Sequence, residues 1–200
     1  MYALELSIDT QRWPIFNGRK SDSNFKQVQQ KVFRRDNYTC QFCSFQAHEH
    51  QEVVNLDGNY KNNKISNLVT ACIFCTQCQM LEVVGMSMGG GKLIYLPELA
   101  QNELNSLCHV LFCAMTNKTS YFDTAQAMFR NLRFRSQLIE EKYGNGTSDP
   151  HAFSQLVLNS DMIQYQYQLL EGIRLLPSYA RFKEQLEDWA QAAMEELAQE

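Results

Sequence analysis

Four cysteines fall in two Cys-x-x-Cys pairs, Cys40-Gln-Phe-Cys43 and Cys72-Ile-Phe-Cys75, with 28 residues between them. One such turn lets two thiolates converge on an ion, and two turns complete a tetrahedron. Soft thiolates favour zinc or iron. A site with four cysteine ligands has no open position, so it is structural rather than catalytic. The spacing predicts one structural Zn2+ held by Cys40, Cys43, Cys72 and Cys75. The competing readings are four buried free thiols or a redox pair, and a redox Cys-x-x-Cys has no use for a second pair.

The remaining groups that could ligate metal are more ambiguous. Cys78, three residues past Cys75, is either a substitute ligand or a helix residue near the site. Cys108 and Cys113 read as core positions of an apolar helix. His48-x-His50 could chelate a second metal from a strand, or stand exposed in a loop, which is the preferred reading. His109 and His151 are isolated and read as structural.

Stepping outward from these groups, the 200-residue chain is 44% hydrophobic and 20% charged, as in an ordinary globular protein. No run approaches the ~20 apolar residues of a membrane span, and the N-terminus lacks the pattern of a secretory signal. A cytosolic location is the expectation. The net charge is −4, with nine cationic and seven acidic residues in 1–80 against nine and fifteen in 81–200. Neither half carries the basic stripe of a nucleic-acid binder.

The positioning elements are expected as follows. A short strand covers 2–8, followed by an aromatic loop at Trp13-Pro14. Phe25, Val28, Val32 and Phe33 predict a helix over 23–35. Residues 81–96 read as a hairpin turning at Gly89-Gly90-Gly91. A P-loop there is excluded, because Met86 and Leu93 stand where glycine and a hydroxyl residue are needed. Beyond it come helices at 97–115 (opened by Pro97), 121–143, 150–158, 161–172, and from Pro177 to about 198. The fold class is α+β: a zinc module over 1–96 and a helical array over 97–200, packed as one unit.

The residues at 35–43 (RDNYTCQFC), 52–59 (EVVNLDGN), Asn62-Asn63 and 67–75 (NLVTACIFC) together resemble the zinc-bearing HNH endonuclease motif. The resemblance implies a ββα-metal finger stapled by the four cysteines. In that family a doublet ending in histidine supplies a metal ligand and the general base, a middle asparagine orients the base, and a last histidine holds the catalytic ion. Here the doublet positions are Val54 and Asn55, the middle asparagine is Asn67, and Thr76, Gln77, Cys78 and Gln79 follow the second pair with no histidine. Valine neither binds an ion nor takes a proton, and an amide is no base near pH 7. The resemblance therefore implies an HNH-like fold without catalytic residues. The alternative is a metal-dependent HNH-type DNA endonuclease in which His48 or His50 replaces the base.

Over nearly its whole length, including Trp13-Pro-Ile-Phe16 and Gly89-Gly-Gly-Lys-Leu-Ile-Tyr-Leu-Pro97, the chain is similar to the IcmJ/DotN family of type IVB secretion components. That similarity implies a non-enzymatic adaptor at the cytoplasmic face of the inner membrane. Its partners would be the coupling ATPase DotL and other coupling-complex subunits, its task support of effector-protein translocation, and its membrane contact indirect.

Overall fold

The computed structural model describes residues 1–160 and 162–197. Its N-terminal segment shows the burial alternation of a strand: Leu4 and Leu6 are buried, Ala3 and Glu5 exposed. Among the described residues no strand pairs with it, however, and the segment expected as a strand belongs to neither sheet. It is anchored at its ends, where the Tyr2 N–H donates to Gln41 O (2.9 Å) and the Ser7 N–H to Cys78 O (3.0 Å).

The aromatic loop expected next is a helix, α1 (Arg12–Arg19). Pro14 is its third residue, where the missing N–H has no intrahelical acceptor to lose. Helix α2 (Ser23–Arg35) stands where the periodicity placed it. Asp22 caps it by accepting from the Asn24 N–H, and Arg34 and Arg35 close its last turn. Phe25, Val32 and Phe33 of α2 bury themselves with Val53 and Leu68 in a small core of their own.

Strands β1 (Gln51–Asn55) and β2 (Leu68–Cys72) pair antiparallel, with Gln51 opposite Cys72 and Asn55 opposite Leu68. Helix α3 (Ile73–Gln77) begins at once, with Cys72 as its N-cap. The order strand–strand–helix places Cys72 and Cys75 at the junction.

The hairpin expected over 81–96 does not form. Leu81–Val83 is a single 3-10 turn, and β3 (Gly91–Tyr95) pairs with β4 (Ile173–Pro177), some eighty residues later. The glycine run serves close approach instead of a turn. A Cβ on Gly91 would lie 2.5 Å from Leu176 O, and one on Gly89 would lie 2.8 Å from the Phe182 ring.

Helix α4 (Gln101–Thr116) starts four residues after Pro97, because the chain between β3 and α4 is pinned in a turn: the Leu96 N–H donates to Gly172 O and Leu99 O accepts from Arg174. The long helix expected over 121–143 is two, α5 (Phe122–Phe134) and α6 (Gln137–Tyr143). The break frees Arg135 O to accept from the Tyr95 N–H. Helix α7 (Pro150–Asn159) is capped by Asp149, as its sequence predicts. The helix expected at 161–172 is a 3-10 turn, Ile163–Tyr165, and the short α8 (Gln166–Leu169); its first residue lies outside the described ones. Pro177 ends β4 rather than opening a helix, and the acidic α9 (Lys183–Leu197) follows a further 3-10 turn. The expected end near 198 falls outside the described residues. Among the described residues no helix is long and apolar enough to cross a membrane.

Glu82 closes the seam between the N-terminal segment and the 3-10 turn. Its buried carboxylate accepts the Asp9 N–H through Oε2 (3.2 Å), while Oε1 meets no partner. Burial pushes its pKa up to about 7. The folded chain therefore binds more protons than the unfolded one between about pH 4.5 and 7, and stability falls as pH rises through that window. The stability of wild type relative to Glu82→Gln, which cannot titrate, should drop by on the order of 3 kcal/mol from pH 4.5 to 7.5. Urea unfolding of both proteins checks it, and an unchanged difference at the two ends refutes it.

Candidate metal centre

The two cysteine pairs arrive on different elements. The first is a tight turn after α2, in which the Cys40 N–H donates to Phe45 O (2.8 Å) and the Ser44 N–H to Cys40 O (3.0 Å). Ser44 takes a left-handed φ of 63° to close it. The Gln41 N–H donates to Thr70 O (2.9 Å), which fastens the turn to β2 and so to the second pair.

All four Sγ atoms lie within 4.8 Å of one another, all buried, and Cys43 Sγ is 3.5 Å from Cys72 Sγ. These separations are far beyond the ~2.05 Å of a disulfide. They fit an ion ~2.3 Å from each sulfur, whose tetrahedral edge is about 3.8 Å. The cluster could hold one metal ion. Burial, reinforced by Cys40 and Cys43, pushes the Cys72 and Cys75 thiols well up. Cys40 is held low, against the effect of burial, by hydrogen bonds with the other three. Four thiolates in so dry a place need a cation between them.

Two residues of α4 complete the surroundings. Asn105 Nδ2 donates to Cys75 Sγ (3.2 Å), and His109 Nε2 lies 3.3 Å from Cys72 Sγ. They are four apart, on one face of the helix. Asn105 is itself oriented by Gln101, whose amide also brackets the Leu175 N–H and C=O of β4. The His109 ring is stacked between Phe45 (centroids 3.7 Å) and Phe74 (4.3 Å), and burial lowers its pKa to about 3. A neutral imidazole there donates from Nε2 to a thiolate, which fixes the sulfur and moderates its charge.

No protein-family model matches the chain. It is, however, 55% identical over 198 residues to the type 4 apparatus protein DotN of Legionella pneumophila (strain Philadelphia 1), an alignment that covers 98% of this chain and 92% of that protein. The chain belongs to the DotN family.

In this DotN-family chain the other singled-out residues have the following places. Val54 is fully buried in the main core. Asn55 is buried too, and its amide is fully engaged: Oδ1 accepts from Arg19 Nη1 (2.7 Å), and Nδ2 donates to Asn59 O (3.1 Å) and Asn62 O (2.8 Å). Asn67 braces the same loop, accepting from the Asp57 N–H and donating to Asp57 Oδ1 and Asn62 O. Cys78 lies outside the four-sulfur cluster; its Sγ donates to Phe74 O, and burial pushes it up to about 12. His48 is exposed beside Tyr38, and His50 pairs with Asp188 of α9 (2.7 Å). Among the described residues the four cysteines are the one grouping of three or more His, Cys, Asp or Glu able to hold a metal.

Two readings need correction. Cys113 is exposed rather than core: five residues from the buried Cys108, it is turned about 140° around α4. His109 is structural but not isolated. The signal for it, and for Asn105, was available as two polar residues at i, i+4 that share a helical face with Leu104, Cys108, Leu111 and Phe112.

His109→Phe keeps the stacking and deletes the donor. It should release the metal to a chromogenic chelator about tenfold faster than wild type, with the helical circular dichroism unchanged. Equal release rates would show that the Nε2 contact does not hold the thiolate.

Proposed function

We propose that this chain is a non-enzymatic adaptor subunit of a type IV secretion apparatus, of the type IVB class, stapled by one structural Zn2+ on Cys40, Cys43, Cys72 and Cys75. The identity to DotN supports the assignment to the apparatus. The β1–β2–α3 order, with Cys40 and Cys43 in the turn ahead of β1 and Cys72 and Cys75 at the β2–α3 junction, supports an HNH-like module that has kept its zinc half. Zinc bound there cross-links the first turn to the β2–α3 junction, which supplies folding free energy.

The observation that carries the non-enzymatic reading is the state of Asn55. A residue at that position in a working nuclease must bind the ion or take a proton from water. Here every polar atom of its side chain is spent on Arg19 and the loop carbonyls, and Val54 beside it is fully buried. The doublet positions therefore offer neither ligand nor base, and the endonuclease alternative would have to draw its base from His48 or from His50, which is paired with Asp188. The adaptor's partners are the coupling ATPase DotL and other coupling-complex subunits. Its place is the cytoplasmic face of the inner membrane, peripherally, through those partners. Residues 1–96 and 97–200 act as one unit, which the β3–β4 pairing and the Asn105 and His109 contacts support.

The test is purification of the tagged protein from detergent-solubilised membranes of its own cells. Stoichiometric recovery with a membrane-anchored ATPase is expected, together with one zinc per chain and no Mg2+- or Mn2+-dependent nicking of supercoiled plasmid. Nicking that copurifies with the folded protein, or recovery without any secretion subunit, overturns the reading.

A further inference from the structure

The N-terminal segment is a strand without a neighbour. Between its anchors at Tyr2 and Ser7, among the described residues, the N–H groups of Ala3, Leu4, Glu5 and Leu6 and their carbonyls meet no protein partner. Leu4 and Leu6 are rooted in the core, so the segment is held in place, with the backbone groups of Ala3 and Glu5 open on one edge and those of Leu4 and Leu6 on the other. An open edge of this kind is a template for strand addition.

A cleft of about 490 Å³ runs along this edge, between the segment, the start of α4 and the α8–β4 connection. Leu4, Leu6, Leu170 and Ile173 give it an apolar floor, and Tyr167, 64% exposed, stands at its mouth. A run of four extended residues spans about 13 Å, enough for a four- to six-residue peptide strand. The charge in the cleft selects the occupant. Glu5 and Glu171 line it with no ion-pair partner within 4 Å among the described residues; Arg174 lines it too, attracted by Glu5 but hydrogen-bonded to Leu99 O and Ile173 O, so the cleft keeps one net negative charge.

We propose that residues 3–6 take an extended, basic peptide segment of a partner protein as an added strand, with its cations facing Glu5 and Glu171 and its apolar side chains over Leu4 and Leu6. A second copy of this chain is a poor occupant, since pairing two such segments gathers two Glu5 side chains on one short edge of an already acidic protein. The choice of a protein partner rests on the adaptor reading. That reading is tested separately by copurification, so loss of this edge and loss of that role give different results.

The experiment selects phage-displayed random decapeptides on the full-length protein, then titrates fluorescein-labelled winners by anisotropy. Winners that alternate Lys or Arg with apolar residues are expected. Ala3→Pro deletes an N–H that the fold does not use, and Glu5→Lys reverses an exposed charge. Each should weaken binding about tenfold at an unchanged melting temperature. Should Ala3→Pro disturb the fold, amide exchange of residues 3–6 in wild type serves instead, and should slow at least about tenfold with peptide bound. No enrichment, acidic winners, or binding indifferent to Glu5→Lys and without amide protection overturns the proposal. A wild-type dimer in sedimentation that Glu5→Lys strengthens or Ala3→Pro dissolves also overturns it, assigning the edge to self-pairing.

Discussion

Cys72→Ser should leave a chain that no longer folds cooperatively and that retains no stoichiometric zinc. Cys72 is the most connected of the four clustered cysteines. It ends β2, caps α3, lies 3.5 Å from Cys43 Sγ, and receives His109 from α4. A serine hydroxyl is a poor ligand for a thiolate-lined site, and the other three sulfurs would remain buried without a complete counter-ion shell. Structural zinc contributes roughly 10–16 kcal/mol of apparent binding free energy in small zinc modules, comparable to or greater than the whole stability of a domain. The small core under α2 holds only five buried residues and cannot replace it. The readouts are zinc by atomic absorption and the thermal transition by circular dichroism. A cooperative transition within a few degrees of wild type would sink the structural-zinc claim. Val54→Ala is the control: one buried valine truncated, on the order of 1–2 kcal/mol lost, zinc retained.

The legible parts of this chain are those encoded over short distances. A Cys-x-x-Cys turn is complete within four residues, and α2 and α7 each carry their own cap, Asp22 and Asp149, beside their apolar periodicity. The apolar pattern of the N-terminal segment is equally local and shows as burial alternation over residues 3–6, but whether a strand finds a partner is decided elsewhere, and this segment has none among the described residues. The hairpin expectation fails for the same reason. Leu93 and Ile94 read as strand, yet the edge they meet is at Ile173–Pro177, and sequence proximity pointed to Leu81–Val84 instead. Pro97 and Pro177 were read as helix starters because both precede helical stretches. Pro177 is instead the last residue of β4, and Pro97 opens the turn that leaves β3. The metal centre was legible only in its ligands. The donors Asn105 and His109 come from a helix some thirty residues on, and their role is visible only once α4 lies against the cluster.

Arg19 is the clearest residue that sequence reading passed over, and its substitution carries the second large effect. It ends α1 at 8% exposure, with Nη1 donating to Asn55 Oδ1 (2.7 Å) and Nη2 to Val53 O. Its guanidinium lies 4.3 Å from the Phe25 ring centroid, 4.7 Å from Tyr60 and 5.3 Å from Phe16. Burial lowers its pKa to about 10, so it remains a cation at neutral pH. The cation sits against the end of β1, and the Asn55 amide is what holds it. Arg19→Met preserves length and much of the packing but orphans Asn55 Oδ1 and Val53 O in a dry place, which costs about 3 kcal/mol. Arg19→Lys keeps the charge but cannot reach both oxygens as a fork, and should recover only part of the loss. Urea unfolding of the zinc-loaded proteins at pH 7 reads both. A loss under about 0.5 kcal/mol for Arg19→Met would mean that water satisfies these oxygens and that Asn55 is not committed to the fold. A large loss also means that a histidine at position 55 would first have to expel Arg19, so Asn55→His should destabilise the protein without conferring nuclease activity.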